Sequence, residues 1–241
     1  VSSSFHSLRS ISRRSSFRRR VLTTEYEVSK QNKVRQLREK AAYDQETVHA
    51  VLDAGLVAHV AFVQDGQPVV VPMLYGREDE TIYLHGARKA RVIRLLESTG
   101  TACINVTLLD GLVFARSAFA SSMNYRSVTV FGKARLVEDM DDKKRALHVI
   151  NEQAMPGRRA DLRKSLENEL KMTGVIAVDI ESASAKISDK MPDDEACDID
   201  TPVWGGILPL ECRFTTLQPD ELVKAGIEPS AALRAMEGKR L

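Results

Sequence analysis

Asp65-Gly66 sits between two β-branched runs, Val57–Gln64 and Val69–Tyr75, and no other feature of this chain limits its fold as much. An Asp-Gly pair takes positive φ at low cost, which matches the twist of two antiparallel strands joined by a two-residue turn. A second polar turn, Glu78-Asp79-Glu80, leads into Thr81–His85, so three strands follow one another as a meander. The period then changes. Ala90, Val92, Ile93, Leu95 and Leu96 mark an amphipathic helix to about Glu97, as Val48, Val51 and Leu52 do after the candidate N-cap Asp44, where order is expected from about residue 43.

Further along, Thr101–Leu108 is a strand, Asp110-Gly111 a turn into Leu112–Ala115, and Ser127–Val137 a long strand bent at Gly132. Residues 141–155 and Asp161–Met172 read as helices, Gly174–Ile180 and Ala185–Ser188 as two strands, and 189–202 as an acidic loop. Six or seven strands without a βαβ rhythm imply a mainly β chain whose sheet closes on itself, because closure removes exposed edges. The expected organisation is a basic Ser/Arg-rich extension over 1–40, a barrel domain over 41–212 and a helical tail over 213–241.

Charge is unevenly placed. Residues 1–40 carry eleven Lys/Arg against three acids, leaving 24 basic and 30 acidic residues in 41–241. An acidic body disfavours nucleic-acid binding, which needs surplus positive charge. Residues 1–20 hold eight Ser, six Arg and no acid, too polar for a core. They suit an upstream extension, an organellar transit peptide or a short basic arm. No apolar run approaches the roughly 18 residues of a membrane span. Three scattered cysteines, Cys103, Cys197 and Cys212, form neither a disulfide framework nor a zinc pattern. A cytoplasmic, reducing location is the default, with an organelle as the alternative.

Several segments, in order, resemble a known family. Val71-Pro72-Met73-Leu74-Tyr75 precedes Leu84-His85-Gly86-Ala87, with Arg88, Lys89 and Arg91 beyond. Leu109-Asp110-Gly111-Leu112-Val113, Ala115-Arg116-Ser117-Ala118-Phe119 and Met123-Asn124-Tyr125-Arg126-Ser127-Val128 follow, the last running into Phe131-Gly132-Lys133-Ala134. Over about residues 42–210 this resembles the pyridoxamine 5′-phosphate oxidase-related FMN-binding proteins, in particular the flavin-nucleotide-binding branch that includes nitroimidazole-resistance proteins. The resemblance implies an antiparallel FMN-binding split β-barrel with peripheral helices, a homodimer with FMN in the intersubunit clefts, and a phosphate seat beside the third strand and following helix. Relatives often carry a small or hydroxyl residue where this chain has Lys89 or Ala90. The full substrate-recognition pattern of true pyridoxamine phosphate oxidases is missing, so that reaction is not carried over.

On that resemblance the cofactor-binding candidates are Pro72, Met73, Tyr75, His85, Gly86, Ala87, Arg88, Lys89, Arg91, Arg116, Ser117, Tyr125, Arg126 and Ser127. Basic side chains are unfavourable at a helix N-terminus unless they serve an anion, which points Arg88, Lys89 and Arg91 at a phosphate; a solvated helical face is the alternative. His85 is the candidate catalytic residue, able to hydrogen-bond a small-molecule substrate or pass a proton; a histidine capping the barrel rim is the alternative. His49 and His59 are expected to be structural, His148 an exposed helical residue, and Cys103 part of the core. The expected function is an FMN-dependent oxidoreductase reducing a small acceptor such as a nitro compound. Its alternatives are a flavin carrier or sensor without turnover, or the same barrel around a deazaflavin or haem.

Overall fold

The expected Asp65-Gly66 turn is present, with φ of 50° and 75° at its two residues. It joins β2 (Val57–Gln64) to β3 (Gln67–Glu78), paired from Gln64↔Gln67 back to Val57↔Leu74. The computed structural model describes residues 24–241. The transit-peptide and basic-arm expectations for residues 1–20 fall outside that range.

Asp79, also at positive φ, turns the chain into β4 (Thr81–Ala87). The other strands are β1 (Ala41–Ala42), β5 (Thr101–Phe114), β6 (Ser122–Leu136), β7 (Thr173–Ser188) and β8 (Gly206–Pro209). Every pairing is antiparallel. The order β7-β4-β3-β2-β5-β6 closes through a β6–β7 ladder into a ring, while β1 and β8 add to β7 and β5. This is the split barrel the sequence led us to expect.

Period-2 alternation fills the ring. Ala58 and Val60 of β2, Ile82 and Leu84 of β4, Ile104 and Val106 of β5, Val128 and Val130 of β6, and Ile176 and Val178 of β7 form one buried cluster. Helix α1 (Gln45–Ala54), whose Asp44 cap accepts from the Thr47 N–H at 2.8 Å, adds Val48, Val51 and Leu52. Helix α2 (Arg91–Thr99) adds Ile93 and Leu96. Helix α3 (Met140–Ala154) lies outside the barrel, where Ala146 and Ile150 cover Tyr83, Val175 and Ala177. It comes so close because Gly76 has no side chain: a Cβ there would stand 2.6 Å from the Ile150 backbone.

Several local expectations are corrected. Asp110-Gly111 is a bulge inside the continuous β5, shifting the register from Leu109↔Tyr125 to Gly111↔Asn124. A turn is displaced because β8 pairs with this stretch and would press the Leu208 carbonyl to 2.9 Å from any Cβ at Gly111. The two strands expected after residue 174 are one, β7. Of the helix expected over Asp161–Met172 only α4 (Glu167–Met172) forms. Leu162 and Leu166 are exposed, and Leu170 alone is buried, so the earlier turns have no apolar face to hold them. The segment 213–241 contains a single turn of helix, α5 (Ala231–Arg234). Order begins earlier than residue 43: Tyr26 joins the core, and buried Asn32 donates through Nδ2 to the carbonyl of Ala183 at 3.1 Å.

Candidate functional site

Alternation along β4 sends Ile82 and Leu84 inward and Tyr83 and His85 outward, under the flank of α3. His85 pairs with Val175 of β7, and its ring makes no hydrogen bond among the described residues. Its Nδ1 is fully buried, without a partner among the described residues. Burial holds the imidazole pKa below its ordinary 6.5, so the ring is neutral at pH 7 and keeps a free lone pair.

That ring opens into a cavity of about 990 Å³. Leu74, His85 and Thr173 come from the sheet, Lys144, Leu147, His148, Ile150, Asn151 and Ala154 from α3, and Met155 from the residue that caps it. Leu162, Leu170 and the polar residues Arg159, Arg163, Lys164 and Ser165 complete it from the α3–α4 connection and α4. An apolar interior with a cationic rim suits a large, flat ligand bearing acidic groups. Of the five buried polar side-chain atoms without a partner among the described residues, three belong to residues that line this cavity: His85 Nδ1, His148 Nδ1 and Asn151 Oδ1. His148, expected to be an exposed helical residue, lies on α3 with 45% of its side chain exposed and borders this cavity.

Linkage supplies a test of the His85 environment. Unfolding returns the imidazole to its ordinary pKa, so between that value and the depressed folded one the unfolded chain binds more protons. The stabilising contribution is complete above about pH 6.5 and is lost as pH falls through the folded value. His85→Asn is therefore expected to flatten the loss of stability between about pH 7 and 5, measured by denaturant titration at each pH.

The cations of the expected phosphate seat lie just past His85. Arg88 and Lys89 precede α2 instead of opening it, and Arg91 is its first residue. Arg88 is engaged: its guanidinium forks onto Glu97 at 2.9 and 3.0 Å. Lys89 and Arg91 are exposed, with no ion pair among the described residues, beside a helix start that no side chain caps. Gly86 and exposed Ala87 continue β4 against Gly174 and Thr173.

The remaining candidates do not converge on His85 within one chain. Arg126 pairs with Ile187 and His85 with Val175, positions separated along β7 by about 40 Å of strand contour. Arg126 is forked onto Asp110 at 2.7 and 3.0 Å. Asp194 takes both the backbone N–H and the guanidinium of Arg116, at 2.6 and 2.7 Å. Ser117 Oγ accepts from the Ala120 N–H, and Ser127 Oγ accepts from Asn105 Nδ2 at 3.1 Å. Tyr125 is half-buried opposite Leu109 and Ser188.

Two of the β3 candidates turn their side chains inward. Tyr75 is wholly buried, its hydroxyl donating to the Leu52 carbonyl, and Met73 packs against the core, so both side chains face away from any outer ligand. Pro72 is exposed opposite His59 on the outer face. Around it the exposed side chains of Val57, Val63, Val70, Leu74 and Leu109 make an apolar surface on neighbouring strands. Cys103 is half-buried on β5, outside the core cluster in which it was expected.

Comparison with known proteins fits this geometry. A family model described as pyridoxamine 5′-phosphate oxidase matches residues 44–187. Among solved structures, the flavocytochrome Anf3 from Azotobacter vinelandii is 33% identical, with TM-score 0.82, covering 87% of this chain and 97% of its own. An FAD and haem binding protein from Mycobacterium smegmatis is 35% identical, with TM-score 0.79, covering 83% of this chain and 98% of its own. A candidate 5-nitroimidazole antibiotic resistance protein from Bacteroides thetaiotaomicron shares the fold at 24% identity and TM-score 0.53, covering 61% of this chain and 86% of its own. No match is found among the curated proteins.

Proposed function

This chain belongs to the pyridoxamine 5′-phosphate oxidase family of split-barrel flavin-binding proteins, and from that premise we propose that it is an oxidoreductase holding a flavin and a haem. The carrying observation is the neutral His85 imidazole, free of hydrogen bonds among the described residues, at the wall of a cavity of about 990 Å³. Haem iron is commonly held by one neutral histidine. The residues present fit the group: His85 offers the nitrogen, Leu74, Leu147, Leu162 and Leu170 an apolar bed, and Arg159 and Lys164 counter-charges for two carboxylates. The relatives from Azotobacter and Mycobacterium, described as a flavocytochrome and as FAD and haem binding, support the pairing.

For the flavin, Lys89 and Arg91 are the uncommitted cations at the start of α2 and would take its phosphate. FAD is proposed in place of the FMN expected from sequence, following the mycobacterial relative. Arg116, Ser117, Tyr125, Arg126 and Ser127 would approach this flavin from a second copy, because one chain keeps them far from His85. The apolar outer face of β2, β3 and β5 favours such a homodimer.

Bound together, the two groups would supply electron transfer to a small acceptor, of which a nitro compound is one example. The chain's own part is to fix both groups, keep water from the buried side of His85 and balance anionic charge. The test is to denature the purified protein and chromatograph the released flavin, which is expected to be FAD; a protein that carries no flavin contradicts the proposal. Replacing Lys89 and Arg91 together by alanine is expected to weaken flavin binding about 10- to 100-fold, measured by fluorescence titration, while haem uptake persists.

A further inference from the structure

Beyond α3 the chain winds tightly. The N–H groups of Arg158, Ala160 and Leu162 close onto the carbonyls of Met155, Gly157 and Arg159 at 3.1, 3.3 and 3.2 Å, and Arg158–Asp161 is a 3-10 helix. Side chains three apart on such a helix lie one above the other, and adjacent ones point apart. Arg159 and, three positions on, Leu162 line the His85 cavity. Arg158 and Asp161 share another face, where they form an ion pair at 3.0 Å.

The C-terminal segment docks on that second face. Ser230 Oγ donates to Asp161 Oδ2 at 2.5 Å, the same oxygen that takes the Arg158 guanidinium. Ala232 of α5 lies over Gly157, where a Cβ would stand 3.2 Å from its own. The segment is thus fastened to the rim of the cavity at Gly157 and at Asp161. We propose that Ser230 is a positioning residue for the haem site: by holding Asp161 it fixes the 3-10 helix that carries Arg159, and with it the counter-charge offered to a haem carboxylate. This rests on the haem reading given above. Ser230 Oγ also accepts the Leu233 N–H at 3.4 Å and so caps α5. Aspartate caps a helix as well as serine does, but at position 230 it would set a second carboxylate against Asp161, which separates the two roles.

The experiment loads the full chain with haemin and follows transfer of the haem to apomyoglobin. Ser230→Ala and Ser230→Asp are both expected to speed haem loss about 3- to 10-fold, and Ser230→Thr to restore the native rate. The urea midpoint should stay in place, because neither core cluster among the described residues includes a residue of 213–241. In an Arg159→Ala background Ser230→Ala should add little, since changes that act through one group are not additive. Three results overturn this inference while the haem reading stands: a native rate in either variant, a faster rate that comes only with a lowered urea midpoint, or a Ser230→Ala effect undiminished in the Arg159→Ala background. If the native chain takes up no haem at all, the inference falls together with that reading.

Discussion

His85→Ala is expected to abolish haem uptake while leaving the barrel folded. The ring makes no hydrogen bond among the described residues, so truncation removes no bonded partner from the fold. It also relieves the cost of an unpaired buried nitrogen, which offsets the apolar packing that the ring supplies. The unfolding free energy should therefore change by no more than about 1 kcal/mol. Haem affinity should fall by more than the roughly 100-fold that follows loss of a group merely supporting a ligand. Haemin titration checks the second figure and urea denaturation the first. Undiminished affinity in the variant would separate His85 from the haem.

Gly76→Val is expected to have the opposite profile, a large loss of stability that carries the cavity with it. A Cβ at Gly76 would stand 2.6 Å from both N and Cα of Ile150 and 2.7 Å from the carbonyl carbon of Val149. These are backbone atoms in the body of α3 and cannot step aside as a flexible side chain would. The helix must lift, which uncovers Tyr83, Val175 and Ala177 and opens one wall of the His85 cavity. The cost should reach about 3 kcal/mol, the upper range of overpacking effects. Denaturant titration measures it, and haem affinity should fall in parallel although no liganding atom has been touched.

Much of the barrel was legible because its signals are local. Asp65-Gly66 and the alternating residues on either side define the first hairpin, and Asp44 caps α1 as its position suggests. Gly132 marks a register shift within β6, where a bend was expected. Asp110-Gly111 shows where local signals stop. The same dipeptide serves a turn or a bulge, and only the later pairing of β8 decides between them.

The site was less legible, for two reasons. Charge pairing is set by the folded geometry: Arg116 meets the distant Asp194, and Arg88 reaches along α2 to Glu97. A set of candidate cations gives no sign that these two are occupied while Lys89 and Arg91 are not. The cavity, for its part, is assembled from β3, β4, α3 and the segment leading into β7. Nothing in the residues around His148 signals that α3 will bring this imidazole into the cavity that His85 borders. Asp161–Met172 likewise reads as a charged surface helix, whereas Leu162, Arg163, Lys164 and Ser165 at its start border the same cavity.

The most direct trial of the account is the cofactor content of the native chain as purified and then saturated with haemin. One flavin and one haem per chain, with the haem lost on replacement of His85 and the flavin retained, is the predicted result. A chain free of flavin, or one whose haem content is indifferent to His85, would contradict it.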